Sequence, residues 1–444
     1  MKPIVTAVLA ALLSSCGLLD TNQPDIVEPG DVSTPAGAQA LRVGAISDFA
    51  LAHDGDGDIA EGVTEGHVLL SGLMADEFVL STTPPTEQEI DQRRIFDNNT
   101  SLFAYYHNVH RARSAAEVAA VALRDFGATP DEDPGIGEML SLAAFSYLYL
   151  GEAFCSGVAF STLEGDEQVY GQPQTTTEIF QGAVTRFDAA LAEPGTSAVD
   201  EEGNVTEAAL EVFNLASVGK ARALLDLDDA AGAAAAVATV PTEFEYVTEH
   251  AEAPARLQNA VFAYSIGFLW SLSDLEGDNG LPFRTAEDAR VPFFDEETEG
   301  LDGTTPQFTL LKYDEFAAPM IIASGLEARL IEAEAQLRAT DFGGMTTTLN
   351  NLRDLQGLDQ LDQPNNAEEA TDLLFSERAF WLFATGHRLG DMRRLIRQYG
   401  RDSESVFPVG PYLKGGSYGP DVNLPLPQEV QNNPNSVGCL DRNA

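Results

Sequence analysis

The chain has 444 residues, an ordinary hydrophobic content of 44% and a formal net charge of −45, from 70 acidic and 25 basic residues. That length can bury a large core, and so acidic a balance excludes nucleic acid or an anionic membrane surface as a partner held through a basic patch. The acid is spread along the chain as a solvated surface, and lysine occurs only at Lys2, Lys220, Lys312 and Lys414.

Residues 1–15 carry a single lysine, an apolar run from Ile4 to Leu13 and then small residues. The run is too short to span a bilayer and fits a signal peptide. Leu13-Ser14-Ser15-Cys16 resembles a bacterial lipobox, in which Cys16 is diacylated and becomes the mature N-terminus. Two acyl chains suffice for stable anchoring. The alternative is an ordinary secretory signal with a cysteine beside the cut. Residues 16–35 are polar, hold Pro24, Pro29 and Pro35, and lack periodicity, as a flexible tether does. The folded body is expected over 36–444.

Leu41, Ala45, Ile46 and Phe49 predict a first helix over 36–52. Asp54, Asp56, Asp58 and Glu65 then stand at the first, third, fifth and twelfth positions of a calcium loop. Ile59 occupies the place where that loop needs glycine, so the segment reads as a solvated acidic loop and no metal is expected. Leu102, Tyr105, Val109, Ala112, Ala116, Ala119 and Leu123 repeat at helical spacing up to Phe126. His107 and His110 lie on this helix at i, i+3; with no partner fixed by sequence they read as surface histidines. A helix over 137–154 carries Phe145, Tyr147, Tyr149 and Phe154 as core, and another covers 175–191.

Two later segments match each other. Ala221-x-Ala223-x-Leu225 with Asp229 four residues on corresponds to Ala333-x-Ala335-x-Leu337 with Asp341 four residues on. Each predicts a helix, a tight turn and a second helix packed close over small alanines, as in tetratricopeptide-like hairpins. Between them, 241–323 interleaves turn residues, acids and aromatics without helical period. Sugars need flat aromatic faces and planar polar groups, so this excursion is the expected ligand face, with Trp270, Asp278, Asn279 and Tyr313 as candidates.

If Cys16 carries lipid, Cys155 and Cys439 remain. In an exported protein an even remainder points to a disulfide, two buried thiols being the alternative. There is no G-x-S-x-G, no CxxC and no phosphate loop, and with 70 acids carboxylate pairs arise by chance. No catalysis and no cofactor are expected.

The stretch Ser376–Arg394 reads SERAFWLFATGHRLGDMRR. Its apolar half has helical spacing, Gly386 breaks it, and Asp391 is expected to cap a second short helix reaching about Tyr399. His387, Arg388, Asp391 and Arg393 are expected to make capping and ion-pair contacts. Glu377-Arg378, the apolar run, Gly386-His387-Arg388, Asp391 and Arg393-Arg394 together resemble the C-terminal signature of the SusD/RagB family. Gly72–Phe78 with the Thr83-Pro84-Pro85 turn, and the closing segment from Asn423 to Asn435, are similar to the ends of that family's sequences. The resemblance implies a mainly α, single-domain SusD-like fold of tetratricopeptide-like hairpins with long irregular excursions. It also implies an outer-membrane lipoprotein facing the cell exterior that binds glycan or peptide. The implied partner is a SusC-like TonB-dependent outer-membrane transporter, which receives the ligand. The alternatives are a tetratricopeptide-like scaffold lipoprotein that binds another protein, and a glycoside hydrolase on a helical frame.

Overall fold

A computed structural model describes residues 32–59, 65–129, 131–164 and 167–444. Cys16, the signal peptide and most of the tether lie outside these residues. Helix α1 (Pro35–His53) begins where the Thr34 hydroxyl accepts the Gly37 N–H, with Pro35 in the first turn. The short elements α2 (His67–Met74), β1 (Phe78–Leu80) and α3 (Pro85–Asp91) lead to the 27-residue helix α4 (Thr100–Phe126), capped by the Asn99 side chain. Helix α5 (Gly135–Ala153) is buried along nearly all its length, which explains its aromatic and alanine content. Strands β2 (Val158–Ala159), β3 (Thr162–Glu164), β4 (Glu167–Val169) and β5 (Pro173–Gln174) form two small ribbons, pairing β2 with β5 and β3 with β4. Helix α6 (Thr176–Ala192) opens with a capping box between Thr175 and Glu178.

The repeat read from the sequence is present as helix pairs. Helix α7 (Glu207–Asp226) turns into α8 (Ala230–Val237), where Asp229 accepts the Gly232 N–H at 2.9 Å. After the excursion, α10 (Gly325–Arg338) turns into α11 (Phe342–Leu355), where Asp341 accepts the Gly344 N–H at 2.8 Å. In both turns the residue before the cap has positive φ, Asp228 at 64° and Thr340 at 59°. Ala221, Ala223 and Ala333 are fully buried at the helix contacts. Helices α1, α4, α5, α6, α7, α8, α10 and α11 pack each on the next in that order. The result is a solenoid of four helix pairs, mainly helical and tetratricopeptide-like.

Within the excursion lie β6 (Glu245–Thr248), α9 (Ala260–Ile266), β7 (Trp270–Leu272), β8 (Phe293–Glu299), β9 (Pro306–Leu310) and β10 (Met320–Ser324). They pair antiparallel as β10 with β6, β8 with β9, and β7 with β1, so two of these ribbons fasten the excursion to itself and one to the N-terminal region. Helices α12 (Ala367–Trp381), α13 (Arg388–Arg397) and α14 (Ser403–Val406) follow. A second apolar cluster, including Leu330, Met345, Leu349, Leu374 and Phe375, joins α10, α11 and α12.

Asp391 does not cap a helix. Helix α13 starts three residues earlier, and Asp391 in its first turn accepts from Arg378 at 2.7 and 2.9 Å and from Arg394 at 2.7 Å. These guanidinium groups hold its carboxyl below the usual range against the cost of its burial. Arg388 forks onto Asp76 at 2.6 and 2.9 Å, which ties this stretch to the segment after α2. Arg393 has no carboxylate. Its Nη1 donates to the carbonyls of Gly151, Glu152 and Phe154 at 2.6–3.1 Å and so closes the C-terminal end of α5. The acidic loop is also less solvated than its composition suggests, because Asp54 and Glu65 are buried. Cys155 and Cys439 are joined as a disulfide with a Cα–Cα distance of 5.8 Å.

Candidate functional site

The excursion, β1 and the segment 411–418 enclose an open cleft of about 420 Å³. Its chemistry is set by Arg284, Phe308, Asp274, Asp278, Leu275 and Leu413. The Arg284 guanidinium lies flat over the Phe308 ring, 3.6 Å from its centroid, and its Nε has no partner. A planar cation on an aromatic face is held rigid by the stack and keeps its N–H edges for a ligand. Asp274 Oδ1 accepts from the Arg284 and Thr285 backbone amides at 2.9 and 3.0 Å, fixing the loop that carries the arginine. Gly277, at φ +62°, lets this turn approach Val409, whose carbonyl accepts the Asp278 N–H at 3.0 Å.

Beneath the cleft the support is buried and polar. Glu276 accepts from Ser273 Oγ at 2.8 Å and from Tyr418 OH at 3.0 Å. Burial, then the nearby Asp91, raises its carboxyl well above the ordinary range. Tyr412 packs edge-on against Tyr418 and donates to Asp91 at 2.7 Å. The rim is wetter, with Leu275 and Leu413 more than half exposed. The arrangement can hold a ligand having an apolar face and hydroxyl or carboxylate edges.

The four candidate residues separate here. Asp278 stands exposed on the cleft. Asn279, next to it, instead donates to the carbonyls of Phe407 at 2.9 Å and Glu404 at 3.2 Å and fastens the loop to α14. Trp270 is 3% exposed, clasped between Phe78 and Tyr264 at ring distances of 6.0 and 5.5 Å, and presents no face to a ligand. Tyr313 is equally buried and spends its hydroxyl on the Ala384 carbonyl at 2.9 Å. Trp270 and Tyr313 are therefore core residues of the excursion. Arg284 and Phe308, which carry the cleft, stand in no motif. Phe308 lies on a strand whose alternate residues, Gln307 and Thr309, are polar yet buried, so the hydropathy pattern hides its outward face.

Among the described residues, no three His, Cys, Asp or Glu side chains gather as a metal site, and no helix is long and apolar enough to cross a membrane. Three solved structures with the same architecture are a SusD superfamily protein from Parabacteroides distasonis, the surface glycan-binding protein A of Bacteroides thetaiotaomicron and a SusD-like carbohydrate binding protein from Bacteroides vulgatus. The first matches with TM-score 0.66 at 15% identity, covering 91% of this chain and 98% of that one. The second matches with TM-score 0.68 at 14% identity, covering 93% and 100%. The third matches with TM-score 0.56 at 15% identity, covering 81% and 83%. The chain has the SusD fold. No protein-family model and no curated protein sequence matches it.

Proposed function

We propose that this protein is a SusD-like nutrient-capture lipoprotein that binds glycan without transforming it. Cys16 anchors it to the outer membrane, facing the exterior, and the captured ligand passes to a SusC-like TonB-dependent transporter. The observation that carries the ligand class is the rigid Arg284–Phe308 stack at the mouth of an open cleft with a carboxylate, Asp278, beside it. A sugar ring meets this set through its C–H face on the apolar rim and its vicinal hydroxyls on the guanidinium and carboxylate edges. The fold shared with the glycan-binding protein from Bacteroides thetaiotaomicron supports the same reading.

The test is calorimetry of the protein against a panel of polysaccharides and oligopeptides, repeated with Arg284→Ala and Trp270→Phe. Binding of one glycan class, weakened at least tenfold by Arg284→Ala and unchanged by Trp270→Phe, supports the reading. Binding of peptides alone, or of glycans indifferent to Arg284, sinks it. A transporter that co-purifies from native outer membrane is the expected companion result.

A further inference from the structure

A second cleft, of about 430 Å³, shares no residue with the first. Its walls are the first half of α4, the β2–β5 ribbons and the segment 427–436, and its size falls in the range of about 300–1,000 Å³ typical of small-molecule sites. We propose that this cleft is a second carbohydrate-binding site, taking an uncharged sugar unit between Phe103 and Tyr170.

Three observations carry the assignment. The first is the set of rings. Phe103 and Tyr170 are 39% and 41% exposed, unusual for large aromatics in a chain that buries most of its own. Phe103 lies 6.0 Å from the His107 ring, and in the same cleft Tyr106 packs on His110 at 4.5 Å, His110 on Phe160 at 5.5 Å and Phe160 on Tyr147 at 3.9 Å. The cleft thus carries packed rings beside the two exposed ones.

The second is unsatisfied polarity at its base. His110 Nε2 and Arg113 Nε are both buried without a hydrogen-bond partner. The other guanidinium nitrogens of Arg113 are committed to Glu117 at 2.5 Å and to the Ser161 carbonyl at 3.0 Å. Burial, and then the charge of Arg113, pulls His110 down to about 3, so it is a neutral imidazole. Buried polar atoms are ordinarily paired, and a ligand hydroxyl is a suitable partner for both of these nitrogens.

The third is charge. In a chain of net charge −45 this cleft is lined by a single carboxylate, Glu429, and a single arginine already bonded to Glu117. Besides the two histidines, Ser161, Gln168, Asn432, Asn433 and Ser436 add a neutral amide and hydroxyl set suited to hydroxyl ligands. The wall is fixed in place. Asn433 donates to the Gly171 carbonyl at 3.0 Å, Asn435 to the Tyr170 carbonyl at 3.1 Å, and the Cys155–Cys439 disulfide closes just beyond.

That the ligand is a carbohydrate rests on the function proposed above; that the cleft is a separate site does not. The experiment is calorimetry of the protein with soluble gluco-, xylo-, manno- and galacto-oligosaccharides, using Tyr170→Ala, Phe103→Ala and Arg284→Ala. Wild type is expected to bind two equivalents. Tyr170→Ala and Phe103→Ala each weaken one by about tenfold and leave the other, which Arg284→Ala removes. Both rings are exposed, so unchanged thermal unfolding is expected to certify the fold. Ring resonances of His107 and His110 in histidine-labelled protein shift only when the second site fills. One equivalent, lost in Arg284→Ala and untouched in Tyr170→Ala with static histidine resonances, overturns this site and leaves the first. One equivalent with the reverse pattern supports this site and removes the first. Oligopeptides that shift the histidines while all sugars stay silent overturn the carbohydrate assignment of both.

Discussion

Glu77 and His53 set opposite limits on the pH at which this fold is stable. Glu77 is fully buried, accepts the Ala384 N–H at 2.9 Å and has its other oxygen without a partner. Burial, with Asp76 adding to it, pushes its carboxyl up to about 8 despite Arg388 and Lys312 nearby. A carboxyl raised on folding contributes stability that is full below its unfolded value near 4.5 and is lost as pH rises through 8. His53, stacked on Phe49 and bonded to Tyr149 at 2.8 Å, is pulled down to about 3, first by burial and then by Arg222. Its contribution is full above 6.5 and is lost as pH falls toward 3. Melting temperature against pH should therefore form a dome, and Glu77→Gln should flatten the limb between about 4.5 and 8. An unchanged alkaline limb in Glu77→Gln would show that some other group titrates there. Neither burial was legible in the sequence: Glu77 stands among acids in a chain full of them, and His53 precedes a loop whose composition reads as solvated. At Arg393 the sequence showed a capping role, but the helix it closes is α5, more than 230 residues earlier.

At the scale of elements, legibility depended on how far apart the partners stand. The α7–α8 and α10–α11 pairs repeat visibly because each is closed by a tight turn with an aspartate cap and small alanines on the packed face. The α5–α6 pair is interrupted by the β2–β5 ribbons, and α1 meets α4 only after the whole 54–99 segment, so neither leaves a period in the sequence. The caps give a direct test. Asp229→Ala and Asp341→Ala should each cost about 1 kcal/mol in urea unfolding, the typical loss of an N-cap. Equal losses are expected because the two turns share their geometry, and a cost at only one of them would count against the repeat. In the excursion, composition announced aromatics and acids but not their orientation. Rings that plug the frame, such as Trp270, and rings that face outward, such as Phe294 at 56% exposure, come from the same kind of segment. Strand pairing decides which is which, β7 with β1 for Trp270 and β8 with β9 for Phe294.

For the whole molecule, a single covalent link joins the middle of the helical frame to residue 439. Cys155 sits fully buried at the end of α5 and the loop it closes spans 284 residues. Around it the chain is already knit: Cys155 N–H donates to the Leu424 carbonyl at 2.8 Å and Leu440 N–H to Ser156 at 2.9 Å. Chain-entropy arguments give on the order of 4–5 kcal/mol for a loop of this size. Cys439→Ser should lower the unfolding free energy by an amount approaching that figure, measured by denaturant titration under oxidising conditions. A loss near zero would mean that the hydrogen bonds alone hold the segment.

The same link puts events in an order. A chain that leaves a ribosome or a translocon N-terminus first presents Cys155 long before Cys439. Through that interval the first cysteine is a free thiol in an unfinished helical frame, open to mispairing with any other thiol at hand. The frame can assemble meanwhile, but the wall made by 427–436 leaves only just ahead of the second cysteine, and no disulfide can lock it before that cysteine has arrived. Completion of the second cleft is therefore a late event in the life of the molecule.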